Sequence, residues 1–202
     1  MYKQKVKFVM EYPNSMLYAF FPSVPLVLFV SLSDQATMNV EDFKCTIRQI
    51  RQQEFGELPD FLYEALFFPD GEPKADRSLI KKPELFRYIS NFGRPGDLAF
   101  VAEHQDGLVG AIWVRVFPEN QPGYGYADAE SPELSVAVRQ PYRHLGVGEL
   151  LWQALLQQLR ENGVQQVSLS VDKRNFAFQW YKRLGFTVVR KTIHSCVMVR
   201  KI

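Results

Sequence analysis

The chain has 202 residues, a hydrophobic content of 47%, a charged content of 23% and a formal net charge of +2. This length and composition predict one ordinary soluble domain with a sizeable core, and the near-balanced charge argues against nucleic acid as the main partner. Because the two cysteines and three histidines form no metal-ligand spacing, we expect no bound metal and a reduced, cytoplasmic protein.

The N-terminal segment differs in character from the rest of the chain. Its apolar run Met16–Val30 is shorter than the roughly 20 residues of a membrane span and is interrupted by Pro22 and Pro25. Three interpretations stay open: an upstream extension with Met38 as the natural start, an ordered accessory segment, or a signal or membrane-surface element. We favour the first, and expect residues 1–40 to be an extension outside the domain.

Residues 41–202 read as alternating strands and helices in the order β-α-α-β-β-β-α-β-α-β-β. Period-two apolar alternation predicts the strands and a one-sided apolar stripe predicts the helices. The predicted strands are 45–51, 98–104, 108–117, 133–138, 165–171 and a closing hairpin within 187–199. The predicted helices are 57–67, 82–92, 175–184 and one that ends at Asn162 with the buried stripe Val147, Leu150, Leu151, Ala154, Leu155 and Leu159.

A glycine-containing turn connects the strand 133–138 to this long helix. It has the form R-x-x-G-x-G, from Arg143 to Gly148. Glycine lets a backbone approach a ligand closely, and the free N–H groups of a first helical turn bind phosphate-like anions. A Walker A loop is excluded because no lysine follows Gly148, and Leu151 stands where a dinucleotide fingerprint needs its third glycine. The pattern indicates a pyrophosphate site, with a plain glycine turn as the open alternative.

Two stretches together carry a family resemblance. The segment ELSVAVRQPYRHLGVGELLWQALL, followed by NFAFQWYKRLGF, resembles the GNAT superfamily of CoA-dependent N-acyltransferases. The resemblance covers roughly Cys45 to Arg200. It implies that residues 41–202 form a single α/β (α+β) domain, in which helices flank a mixed, mostly antiparallel central sheet with a splayed pair of strands for the cofactor.

The resemblance also implies the cofactor, acetyl-CoA as acyl donor, and the residues that bind it. The exposed backbone of Val136 and Val138 would bind the pantetheine arm, and the amide of Val136 or Ala137 would polarise the thioester carbonyl. Asn175 would contact the cofactor arm, cap the next helix, or do both. The pyrophosphate would lie on Arg143, His144, Leu145, Gly146, Val147 and Gly148.

Two residues match the catalytic positions of the superfamily. Glu133 is the expected base that deprotonates the amine, with a solvated strand-end carboxylate as the alternative. Tyr181 is the expected acid that protonates the departing CoA thiolate, with simple packing beside Trp180 as the alternative. Tyr124 and Tyr126 could line an acceptor pocket.

The resulting hypothesis is an acyltransferase that moves an acetyl group from acetyl-CoA to a primary amine of a small molecule or a protein. A catalytically inactive, CoA-binding regulatory module with the same fold is the alternative. We expect no nucleic-acid or membrane partner, and a homodimer through the closing strands is possible because open sheet edges tend to pair. Trp113 and Arg115, on the predicted strand 108–117, are expected to face the same cleft as Tyr124 and Tyr126.

Overall fold

The computed structural model describes residues 36–40, 43–69 and 71–202, so the expectations about residues 1–35 lie outside the described residues. The strands are β1 (Ala36–Val40), β2 (Phe43–Gln49), β3 (Leu98–His104), β4 (Gly107–Arg115), β5 (Glu133–Val138), β6 (Gln166–Asp172), β7 (Thr187–Lys191) and β8 (Ser195–Lys201). The helices are α1 (Leu58–Ala65), α2 (Pro83–Phe86), α3 (Val147–Glu161) and α4 (Ala177–Arg183). Short 3-10 helices cover Gln52–Glu57, Arg77–Lys81 and Gln140–Tyr142. Within the described ranges, every helix is too short or too polar to span a membrane.

The eight strands form one sheet in the order β1-β2-β3-β4-β5-β6-β8-β7. Among the described strands every neighbouring pair is antiparallel except β5 and β6, which are parallel. This arrangement confirms the mixed, mostly antiparallel sheet. Strand β1 lies inside the range assigned to the N-terminal extension and pairs with β2 from Ala36↔Ile47 to Val40↔Phe43, so it adds an edge strand to the sheet.

Strands β5 and β6 separate soon after they meet. Their register contains one pair, Glu133↔Ser168, next to a hydrogen bond in which the Ser168 N–H donates to the Pro132 carbonyl at 3.1 Å. Beyond this point the two strands diverge, which confirms the predicted splayed pair. An opening of this kind leaves backbone N–H and C=O groups of a central strand free for a ligand.

Helices cover both faces of the sheet. One core cluster centres on α3, and the other centres on α1 and Tyr88. Within α3, Trp152 and Leu156 are buried whereas Leu150 and Ala154 are only partly buried, so the predicted stripe was wrong at these positions. The reason is tertiary: Trp152 packs against Phe186 at 5.5 Å between ring centroids, which extends the buried face of α3 toward the segment after α4.

Arg115 is a structural residue, contrary to the expectation that it faces the cleft. Its guanidinium forms a bidentate ion pair with Asp97, at 2.8 and 2.5 Å. It also donates to the carbonyls of Arg87, Ser90 and Asn91. Because the Arg115 and Asp97 side chains are 0% and 2% exposed, this pair fixes the turns after α2 to the end of β4.

Candidate functional site

The glycine turn adopts a conformation that exposes backbone donors. Gly146 is the N-cap of α3 with a φ of 82°, and His144 has a φ of 64°. A positive φ is costly for most residues but not for glycine, which explains the glycine at position 146. Among the described residues, the N–H groups of Leu145, Gly146, Val147 and Gly148 donate no backbone hydrogen bond. The turn therefore supplies free N–H groups at the positive end of a 15-residue helix.

Arg143 places a fixed positive charge beside these amides. Its Nε donates to the Val138 carbonyl at 2.8 Å, and its Nη2 contacts Glu64 Oε2 on α1 at 3.1 Å. The guanidinium is thus fixed between the end of β5 and α1. The Val138 carbonyl, one of the groups expected to bind the pantetheine arm, already accepts this bond.

The backbone of β5 presents alternate residues to the opening. The Arg139 N–H donates to the Val109 carbonyl in β4, and backbone direction alternates along an antiparallel strand. The polar backbone groups of Ala137 therefore face β4, whereas those of Val136 and Val138 face the opening. Of the two amides expected to polarise the thioester carbonyl, only the Val136 N–H faces the opening, because the Ala137 N–H faces β4.

Helix α4 forms a wall beside the turn. The Trp180 indole N–H donates to Glu149 Oε2 at 3.3 Å, and the Phe176 and His144 rings lie 5.7 Å apart. A Cβ at Gly148 would lie 3.5 Å from the Trp180 ring, so a larger side chain would fill the space between α3 and α4. The free amides, Arg143 and this narrow space fit a bound pyrophosphate.

Asn175 acts as a capping residue in the structure. Its Oδ1 accepts a hydrogen bond from the Ala177 N–H at 2.9 Å, in the first turn of α4. This satisfies one of the free donors at the start of that helix. Any contact between Asn175 and a cofactor arm would come from its amide nitrogen.

Tyr181 combines a packed ring with a free hydroxyl. Its ring contacts Trp180 and Phe186 at centroid distances of 5.1 and 5.6 Å. No described residue forms a hydrogen bond with its hydroxyl. Because this oxygen is not among the described polar atoms that are both buried and unpartnered, it keeps contact with solvent. Burial raises the pKa of Tyr181. The hydroxyl therefore stays protonated and can donate a proton to a strong base.

Glu133 is buried, which excludes the alternative of a solvated strand-end carboxylate. The residue is 3% exposed. Its Oε1 accepts hydrogen bonds from the Tyr88 hydroxyl at 2.5 Å and the Gly125 N–H at 2.7 Å, whereas its Oε2 is sealed from solvent without a partner. Burial raises the pKa of Glu133 to about 7, although both hydrogen bonds and the charge of Arg190 oppose the shift. A carboxyl with this pKa suits a general base near neutral pH.

The loop before β5 covers this carboxyl, and sequence reasoning missed its role. A Cβ at Gly123 would collide with Glu133 Oε2, and a Cβ at Gly125 would collide with the backbone of Leu169 in β6. Tyr124, 57% exposed, stacks on the Tyr88 ring at 6.5 Å. The two glycines of PGYGY were the available signal, because they come shortly before the predicted base.

Tyr126 and Trp113 differ in their relation to the site. The Tyr126 carbonyl accepts a hydrogen bond from Arg190 at 3.1 Å, which connects the covering loop to β7. Trp113 is fully buried, and its indole N–H has no partner, so it belongs to the core and not to the cleft.

Within the described ranges, no group of three or more His, Cys, Asp or Glu side chains could hold a metal ion.

Comparisons with known proteins agree with this geometry. Residues 58–186, more than half of the chain, match the acetyltransferase (GNAT) family. A mycothiol acetyltransferase from Segniliparus rotundus is 32% identical over 96 residues, which are 46% of this chain and 34% of that protein. The match thus spans about a third of the relative's length.

Solved structures show the same fold at low sequence identity. The PaiA N-acetyltransferase of Thermoplasma acidophilum, in complex with coenzyme A, is 17% identical with a TM-score of 0.57, covering 79% of this chain and all of that one. The GNAT domain of S. lividans PAT is 14% identical with a TM-score of 0.60, covering 83% and 97%. The ribosomal-protein-S18-alanine N-acetyltransferase of Escherichia coli is 19% identical with a TM-score of 0.55, covering 78% and 94%. The splayed strands, the glycine turn and the family match together show that this chain belongs to the acetyltransferase (GNAT) family.

Proposed function

We propose that the chain transfers an acetyl group from acetyl-CoA to a primary amine of a small molecule or a protein. The observation that supports this most strongly is the buried carboxyl of Glu133, with one unpartnered oxygen, at the point where β5 and β6 separate. A regulatory CoA-binding module would need the free amides of the turn but not a buried carboxyl with a pKa of about 7. Both Glu133 and Tyr181 favour an enzyme.

Each residue has a defined task in this proposal. The turn amides and Arg143 hold the pyrophosphate, and the Val136 N–H donates to the carbonyl of the acyl group. The cofactor supplies the acetyl group as an activated thioester. Glu133 takes a proton from the ammonium group at Oε2, through a water that reaches this sealed oxygen when the covering loop moves, so that the neutral amine can form the C–N bond. As the C–S bond breaks, the Tyr181 hydroxyl donates its proton to the thiolate, and the second proton that leaves the nitrogen as the amide forms restores the hydroxyl.

A thiol-linked acetyl intermediate does not fit the chain. Cys45 and Cys196 are both buried free thiols. Burial raises the pKa of the Cys45 thiol to about 11, and a thiol that stays protonated is a poor nucleophile. Direct transfer between the cofactor and the amine is therefore the proposed route.

Two relatives suggest different classes of amine acceptor. The mycothiol acetyltransferase favours a small-molecule acceptor, whereas the S18-alanine N-acetyltransferase favours a protein N-terminus. An acceptor panel should therefore contain amino sugars, amino acids, aminoglycosides and peptides with a free N-terminus or a lysine. We expect amine-dependent release of CoA thiol with at least one class. Binding of acetyl-CoA without such release from any amine would favour the regulatory module.

A binding measurement tests the cofactor site without an acceptor. Acetyl-CoA at about 100 times its Kd should stabilise the protein by about 2.7 kcal/mol and raise its Tm. Gly148→Val should abolish the shift because its side chain would extend toward Trp180. Gly56→Val is the matched control, since a Cβ at Gly56 meets nothing within 4 Å. An equal shift in the wild type and in Gly148→Val would contradict the proposed site.

A further inference from the structure

Tyr88 connects three separate parts of the chain at the site. It follows α2 and lies 45 residues before Glu133 in sequence, yet its hydroxyl donates to Glu133 Oε1 at 2.5 Å. The same hydroxyl accepts a hydrogen bond from the Tyr124 N–H at 2.7 Å. Its ring packs on Phe117 at 4.9 Å between centroids. The hydroxyl is therefore held in place by the covering loop on one side and by the core on the other.

We infer that Tyr88 is a positioning residue for the proposed base: its hydroxyl fixes Glu133 Oε1, so that Oε2 is the oxygen that accepts the proton. This inference rests on the proposed function. The Gly125 N–H also donates to Oε1, at 2.7 Å, so both donors engage one oxygen and leave the other without a partner. A buried carboxylate oxygen that accepts no hydrogen bond is the less stabilised of the two in the charged form, so a proton taken up by the carboxyl binds there.

The glycine at position 123 packs directly against this unpartnered oxygen. A Cβ there would collide with Oε2 and come within 2.8 Å of the Tyr88 hydroxyl. The backbone of Gly123 has no positive φ, so its conformation does not require glycine. The close approach to Glu133 and Tyr88 is what excludes a larger residue.

The other charged groups around Glu133 do not supply this positioning. Arg190 on β7 acts on the carboxyl only through its charge, and its guanidinium bonds the Tyr126 carbonyl. Arg115 is the cross-strand partner of Glu133 in β4, but its guanidinium is engaged by Asp97. The Tyr88 hydroxyl remains protonated beside the carboxylate, because burial and the charge of Glu133 raise the pKa of Tyr88.

The first test reads the Glu133 carboxyl directly and needs no acceptor. Carbon-13 NMR of glutamate-labelled protein, with the Glu133 signal assigned by its loss in Glu133→Gln, gives the titration midpoint. Tyr88→Phe keeps the ring but removes a donor to the charged form, so the Glu133 pKa should rise by about one unit. Tyr63→Phe is the matched control, since its buried hydroxyl bonds the Ala75 carbonyl at 2.6 Å away from the site. An unchanged Glu133 pKa in Tyr88→Phe would overturn the inference, even if acetyl transfer is confirmed.

The second test uses the reaction and separates positioning from simple packing. In Tyr88→Phe the acidic limb of the kcat/KM profile should move up by about one pH unit. When Glu133 is already replaced by glutamine, the Tyr88→Phe substitution should change kcat by less than about twofold. If the two substitutions together lowered kcat by the product of their separate effects, Tyr88 would act independently of Glu133, and the inference would be refuted.

Gly123→Ala tests the space beside Oε2. It should lower kcat by at least about tenfold with little change in acetyl-CoA affinity, because the displaced carboxylate no longer reaches the amine. Gly56→Ala, whose Cβ meets nothing within 4 Å, should leave kcat unchanged. Wild-type kcat in Gly123→Ala would contradict the assigned role of Oε2. Absence of acetyl transfer from the wild type would instead refute the proposed function, and the NMR test would still stand.

Discussion

Replacing Glu133 by glutamine should change the stability of the protein in a pH-dependent way. Glutamine has the same shape, and its carbonyl oxygen can still accept from Tyr88 and the Gly125 N–H. It cannot ionise, however. The comparison of Glu133→Gln with the wild type therefore isolates the free energy of placing a negative charge in this buried position.

The sign and size of the effect follow from the raised pKa of Glu133. Burial raises the pKa from 4.5 to about 7, so between these values the folded protein binds more protons at this site than the unfolded chain. Stability contributed by the protonated carboxyl is present below pH 4.5 and is lost as the pH rises toward 7. A shift of about 2.5 pH units corresponds to about 3 kcal/mol at pH 8. The free energy of unfolding of Glu133→Gln, relative to that of the wild type, should therefore rise by about 3 kcal/mol from pH 4.5 to pH 8.

Urea denaturation of both proteins at pH 4.5 and pH 8 measures this difference. Glu54→Gln is a control without this pH dependence, because the hydrogen bond from Arg48 lowers the pKa of Glu54 to about 2. The Glu54 carboxylate is ionised in the folded protein at both pH values, so the stability lost in Glu54→Gln should be nearly the same at pH 4.5 and pH 8. Equal relative stabilities of Glu133→Gln at both pH values would refute the claim that the Glu133 carboxyl is buried with a raised pKa.

Three further predictions concern catalysis, the core and assembly. Tyr181→Phe should lower kcat by about 10²–10⁴ with little change in acetyl-CoA affinity, and full activity on a verified acceptor would reduce Tyr181 to a packing residue. Arg115→Met should lower the free energy of unfolding by about 3–5 kcal/mol, measured in urea, because Asp97 would be left as an unpaired buried charge; a loss below about 1 kcal/mol would contradict the structural role. Strand β7 is the last strand of the sheet and carries Val189 at 55% exposure, so sedimentation should detect a homodimer, and a monomer at high micromolar concentration would count against it.

Local features of the site were predictable from the sequence. The left-handed conformation at Gly146 and the free amides after it follow from a glycine that separates a strand from a helix. The capping bond of Asn175 likewise depends on a residue two positions away. Both features involve short stretches of backbone, so nearby residues largely determine them.

Features that depend on distant packing were not predictable. Glu133 reads as the first residue of a strand, and its burial requires the covering loop and Tyr88, which lies on a different part of the chain. Arg115 resembles a cleft residue in sequence because it is a charged side chain within an apolar strand. Only the fold brings Asp97 and the carbonyls after α2 to its guanidinium. In both cases the role of a charged residue is set by partners that periodicity does not identify.

Transfer of an isotope-labelled acetyl group from acetyl-CoA to an amine, followed by mass spectrometry, tests directly whether the chain is an N-acetyltransferase. We expect one labelled acetyl group on the amine nitrogen for each CoA thiol released, with the rate strongly reduced in Glu133→Gln and Tyr181→Phe. Acetyl-CoA binding without a labelled amine from any acceptor class, or labelled product at the wild-type rate in both variants, would contradict it.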